Sequence, residues 1–164
     1  MLDIRPDLID DPWLGVSEVE FTDVQEAASV QRDEGLHKLP AGIFLAAGLA
    51  DVDFESLSGA ERVEAVTALQ RLVSHYQAQM YAGVASIYDY LEEDFAGDMD
   101  LATGATAAEV RAALRLTRRS ADLTVDLALT LVTRIPVLHE AFLAGAVDVA
   151  RVKTIVSGHR APPG

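Results

Sequence analysis

Apolar residues recur at steps of three and four along most of this chain, and that period predicts helices rather than strands. Val66, Leu69, Val73, Tyr76, Met80, Val84, Ile87 and Leu91 repeat along one side of a helix expected from Gly59 to about Glu93. Ser58 and Glu61 supply a capping box at its start, the hydroxyl taking one orphan amide and the carboxylate another. At about 1.5 Å per residue this helix is roughly 50 Å long, so it needs a second long helix beside it.

Thr106 and Glu109 form another capping box, which predicts that second helix from about Ala107 to Arg134. Val110, Leu114, Ala121, Val125, Ala128 and Val132 fall on one stripe of it, the expected core face. Arg134-Ile135-Pro136 ends the helix, since proline cannot continue it but suits the opening turn of the next. A short helix over 136–144, Gly145 as a left-handed stop, Asp148 as an N-cap and a last helix carrying Val149, Val152, Ile155 and Val156 up to Gly158 complete the series. Upstream, Pro40 opens a short helix through Ile43, Phe44, Leu45 and Leu49, closed by Asp51 to Asp53.

The expected fold is all-α. An antiparallel bundle has one long helix (about 59–93) packed on a second (about 107–134), with a terminal helix-turn-helix pair. Residues 39–157 form the helical domain, after an acidic irregular lead-in (1–38) that holds Trp13 and one marginal helix over 19–30; residues 158–164 are a tail. With 164 residues, half of them apolar, one domain with a real core is expected. The chain has no cysteine, its N-terminus lacks the basic start and apolar core of a signal peptide, and no apolar run would span a membrane, so a reducing cytoplasm fits.

Charge changes the picture because it is unevenly spread. Residues 1–100 hold 5 Lys+Arg against 21 Asp+Glu, whereas residues 101–164 hold 8 against 5. Any contact with nucleic acid must therefore come from the C-terminal part. There, Arg111, Arg115, Arg118 and Arg119 cluster on one arc of the expected helix, followed by Asp122 and Asp126. One reading is a basic stripe for phosphates, with Leu114 to Thr117 as the turn of a helix-turn-helix, Thr117 capping a recognition helix, and Arg151 and Lys153 adding from the next helix. The other is a solvated face on which Arg118 and Arg119 pair with Asp122. The second is favoured: the turn lacks a glycine, and the apolar stripe passes through it without a change of phase.

Catalytic chemistry is not legible. His37, His75, His139 and His159 are scattered with no two at ligand spacing. Glu92, Glu93, Asp94, Asp98 and Asp100 lack the ligand order of a calcium loop and read as helix-end charge. Tyr76, Tyr81, Tyr88 and Tyr90 have no basic residues between them and read as core and rim aromatics rather than a base-stacking platform. Gly83, inside the long helix, suggests a close approach or a bend. No metal or cofactor is expected.

Two segments carry a family resemblance: LRLTRRSADLTVDLALTLVTRIPVLHEAFLAGAVDVARVKTIV and, upstream, LPAGIFLAAGLADVDFESLSGAERVEAVTALQRLVSHYQAQMYAGVASI. Together they resemble the 13E12 repeat proteins, the domain-of-unknown-function family 222, over about Leu39 to Ser157. The resemblance implies an all-helical N-terminal domain of the kind found before HNH endonuclease domains, with no catalytic residue to carry over. On this reading the chain is a truncated, non-catalytic accessory domain that contacts a protein partner or a missing C-terminal half; DNA is the alternative partner. An incomplete domain would also expose an apolar patch and self-associate.

Overall fold

The computed structural model describes residues 35–159. Trp13 and the helix expected over 19–30 lie outside them. Six α-helices follow one another: α1 (Ile43–Ala50), α2 (Gly59–Asp94), α3 (Met99–Leu114), α4 (Arg118–Leu129), α5 (Pro136–Leu143) and α6 (Val149–His159), with a π-helical segment, Thr130–Arg134, continuing α4. No strand occurs among the described residues, and none of their helices is long and apolar enough to cross a membrane.

Local signals place α2, α5 and α6 as expected. At the start of α2, the Ser58 amide donates to Glu61 Oε2 at 2.7 Å and the Glu61 amide to Ser58 Oγ at 3.4 Å, closing the capping box. Pro136 stands in the first turn of α5. After it, Gly145 takes φ 73° while its amide donates to the Phe142 carbonyl and that of Ala146 to the Ala141 carbonyl, the paired bonds of a Schellman stop. Asp148 Oδ1 then accepts the Arg151 amide at 2.9 Å and caps α6. Pro40 precedes α1 rather than entering it, because Gly42, at φ 140°, occupies the N-cap position.

The helix expected from Ala107 to Arg134 is instead two helices. α3 begins at Met99, where Asp98 Oδ1 accepts the amides of Asp100 and Leu101 at 3.2 and 3.1 Å. Thr106 therefore does not cap: it is buried in mid-helix, and its hydroxyl donates to the Ala102 carbonyl at 2.8 Å. Ala102, Thr106, Ala107 and Val110 are buried together, so the apolar face extends one turn and more upstream of the capping-box signal and overrides it. α3 stops because Arg115 adopts the left-handed conformation, φ 53° and ψ 41°, and the Leu116 amide closes back on the Arg111 carbonyl at 3.1 Å. Thr117 Oγ1 then accepts the Ser120 amide at 3.2 Å and starts α4. Of the expected stripe, Val110, Ala121, Val125 and Ala128 are buried, whereas Leu114, beside the break, is exposed.

α3 and α4 pack on each other and both lie against α2; α5 and the π segment also touch α2, and α6 packs on α5. The larger core gathers Tyr81, Val110, Val125, Leu131, Leu138, Phe142, Val152 and Val156. A smaller one lies under the first half of α2, where Leu36, Leu39, Leu45 and Leu49 meet Ala65, Ala68 and Leu72.

The long helix faces these cores with a side that its apolar period does not single out. It buries Ala65, Ala68, Leu72, Ala78, Tyr81, Val84 and Ala85; of the expected core stripe Val84 is among these, whereas Val66, Leu69, Val73, Tyr76, Met80 and Ile87 are exposed. Small alanine side chains let neighbouring helices approach closely, which favours that side for packing within the chain. Among the described residues nothing approaches Gly83: a Cβ built there meets no atom within 4 Å.

Candidate functional site

The basic residues of the C-terminal part do not share one surface. Arg111, near the end of α3, and Arg118, at the start of α4, line a hollow of about 250 Å³ together with Gly104, Ala107, Ala108 and Asp122. Arg115 sits in the turn between the two helices, and Arg119 follows Arg118 in the first turn of α4. All four arginines are exposed. Among the described residues no ion pair joins Arg118 or Arg119 to Asp122, so the pairing that favoured an ordinary solvated face is not formed.

Arg151 and Lys153 are placed elsewhere. The Arg151 guanidinium lies 3.1 Å from Asp148 Oδ2, across an exposed i,i+3 pair. The Arg151 amide, aided by that guanidinium, holds the Asp148 carboxyl below the ordinary aspartate range. Lys153 lines a second groove, about 340 Å³ in volume, between α4 and α6, with Tyr81, Ser120, Leu123, Thr124 and Asp126 among its walls. Burial pushes the Tyr81 hydroxyl above its usual pKa. The candidate set therefore divides into a hollow with two arginines and an acid, and a groove with one lysine and an acid.

The turn from α3 to α4 has the connectivity of a helix-turn-helix, with Thr117 capping the second helix and Arg115 in the left-handed position usually held by glycine. The acids Asp122 and Asp126 follow the arginines along α4 and offset their charge for any polyanion laid along it.

Three histidines are engaged in separate hydrogen bonds rather than gathered at a site. His139 Nε2 donates to the Ala78 carbonyl at 3.0 Å, His75 Nδ1 bonds the Leu143 carbonyl, and His37 Nδ1 lies 3.0 Å from Glu64 Oε1. The His37 ring and amide hold the Glu64 carboxyl below the usual glutamate range. Among the described residues no three His, Asp or Glu side chains are grouped to hold a metal ion.

Two tying residues escaped the sequence reading. The Arg71 guanidinium donates to the carbonyls of Leu39 at 2.6 Å and Leu36 at 3.2 Å, clamping the segment before α1 onto α2. Asp98 caps α3. The one available signal for the first was a lone arginine inside the apolar run of α2; for the second, an aspartate directly before Met99 and Leu101.

A more extensive feature is the outer face of α2. Val66, Leu69, Val73, Tyr76, Met80, Ile87 and Tyr90 are 37–66% exposed, on a helix whose other sides contribute Ala65, Ala68 and Leu72 to the smaller core and Ala78, Tyr81 and Val84 to the larger. Between Ala65 and Tyr88 the only Asp, Glu, Lys or Arg is Arg71, which is bonded to the carbonyls just described.

No curated protein and no solved structure matches this chain. The family model described as Domain of unknown function (DUF222) matches residues 59–163, from the first residue of α2 past the end of α6, and the chain belongs to that family.

Proposed function

We propose that this chain is a non-catalytic helical interaction domain, accessory to an HNH-type nuclease domain as the resemblance to the 13E12 repeat proteins implies. The observation that carries this reading is the uncharged apolar face of α2, which the chain's described helices leave uncovered. Contiguous apolar surface of this extent on a charged protein is characteristic of a protein contact. The helical unit extends upstream of the family match to about Leu39, because Leu39 and Leu45 of the α1 region pack on Ala65, Ala68 and Leu72.

The second reading, a DNA-binding module, is favoured by one observation: Arg118 and Arg119 make no ion pair with Asp122, and Arg118 shares its hollow with Arg111. Against it stand the acids on the same helix and the separate placement of Arg151 and Lys153.

Fluorescence anisotropy of labelled duplex DNA, titrated with the chain at low and near-physiological salt beside the Arg118→Ala/Arg119→Ala variant, separates the two. The interaction reading expects no binding by either protein and no metal-dependent cleavage. Binding that weakens steeply with salt and drops in the variant replaces it with the DNA module. Cleavage that follows the protein through purification and is altered by mutation overturns both.

A further inference from the structure

The exposed residues of α2 are spaced as a coiled-coil seam. Positions 66, 69, 73, 76, 80, 83, 87 and 90 alternate steps of three and four without interruption, filled by Val, Leu, Val, Tyr, Met, Gly, Ile and Tyr. A strict average of 3.5 residues is what a helix carries when it winds against another helix of similar length, and at about 1.5 Å per residue the seam is about 36 Å long. Within the chain, the described helices other than α2 have between 8 and 16 residues. At about 1.5 Å per residue the longest of them reaches about 24 Å, too short to cover it.

We infer that the seam is covered by α2 of a second copy of this chain, running antiparallel. The inference rests on reading the outer face of α2 as a protein interface and names its partner. Length selects the occupant, since a second α2 matches the seam residue for residue, and a two-fold pairing needs only one self-complementary face.

Charge selects the direction. The C-terminal end of α2 carries Asp89, Glu92, Glu93 and Asp94, while the N-terminal end carries fewer acids, Glu61 bonded to Ser58 and Glu64 to His37, together with Arg62, bonded to the Leu57 and Glu55 carbonyls, and the positive end of the helix. Parallel pairing stacks four acids on four acids. Antiparallel pairing lays them beside Arg62 and the positive helix end of the other copy. The positions flanking the seam between them, Gln70, Gln77, Gln79 and Ser86, are uncharged, so along this stretch pairing brings no like charges together in a chain of net charge -13; at the ends the antiparallel register sets Asp94 opposite Arg62 and Glu92 opposite Glu64. Centred on Ala78, the antiparallel register sets Gly83 opposite Val73, Met80 opposite Tyr76 and Leu69 opposite Ile87 of the second copy. Gly83 then has the role of admitting the other helix.

The area is sufficient. The seven exposed side chains present on the order of 600 Å² per copy, so that a pair covering them fully removes up to about 1,200 Å² from water, the lower edge of specific stable interfaces.

Sedimentation velocity on the full chain from about 1 to 100 µM reads the stoichiometry, and single cysteines, unique in a chain without any, read the direction. The expected result is a dimer that becomes monomer in Val73→Glu and, independently, in Ile87→Lys, each with its helical circular dichroism retained. Mixed Val73→Cys and Gly83→Cys chains should form a disulfide-linked pair, whereas Val73→Cys alone should not. A chain that stays monomeric at 100 µM overturns the second copy as partner. So does a dimer untouched by both charge substitutions, and linkage of Val73→Cys with itself overturns the antiparallel direction. A monomeric chain that binds no DNA leaves the interaction reading standing with a different protein partner, and DNA binding removes that reading itself, so the two failures are distinct.

Discussion

His75 Nδ1 donates to the carbonyl oxygen of Leu143 at 2.6 Å, which ties the middle of α2 to the end of α5. With the proton on Nδ1, the neutral ring offers Nε2 as an acceptor, and the Gln79 amide nitrogen lies 3.0 Å from it. Both ring nitrogens are thus occupied, one across the fold and one along the helix. His75→Ala leaves the Leu143 carbonyl without its partner and should lower stability by about 1–2 kcal/mol, read as a fall in the urea midpoint with unchanged slope.

Gly145 lies one helical stop beyond Leu143, and here the absent side chain is required. At φ 73° a Cβ would stand 2.9 Å from both Cβ and the carbonyl oxygen of Arg71. Gly145→Ala combines left-handed strain with a clash against backbone and should cost about 2–4 kcal/mol. Gly104→Ala is the contrasting case, because it lies inside α3 with nothing within 4 Å of its would-be Cβ. That substitution should stabilise by about 1 kcal/mol, so the two midpoints move in opposite directions.

Arg115 holds a left-handed position that ends α3, without the glycine that such a stop favours. Arg115→Gly should raise stability by about 1 kcal/mol in thermal or urea unfolding while leaving the α3–α4 turn in place. A loss of stability would mean that the arginine side chain, not the backbone conformation, holds the turn.

Acid should weaken the fold through three carboxyls. Glu61 is held low by its bonds with Ser58, Glu64 by His37 and Asp148 by the Arg151 amide. Each folded value lies below the unfolded one, so each contribution is complete above the ordinary carboxylate range and is lost as pH falls through the folded values. The urea midpoint should decline from about pH 5 downward, and Glu64→Gln combined with Asp148→Asn should flatten that decline. An unchanged slope in the double variant would place the acid sensitivity elsewhere.

The division between local and tertiary information runs through particular residues. Ser58 with Glu61, Pro136, Gly145 and Asp148 mark helix ends through bonds or dihedral limits within a few residues of themselves, so the bounds of α2, α5 and α6 and the all-helical class were readable from the sequence. The four arginines were read as an arc on one continuous helix, whereas the left-handed turn at Arg115 divides them between α3, the turn and α4, and Arg151 and Lys153 reach their places by the packing of α6. Thr106 misled because a capping box and a buried mid-helix threonine look alike until the upstream face of Ala102 and Ala107 is seen to be buried. Above all, α2 is apolar on two sides, one of alanines and one of larger residues. Periodicity identifies both as apolar and favours the larger. Which one turns inward depends on how closely α3, α4 and α5 must approach, a matter of packing between distant segments that no local pattern encodes.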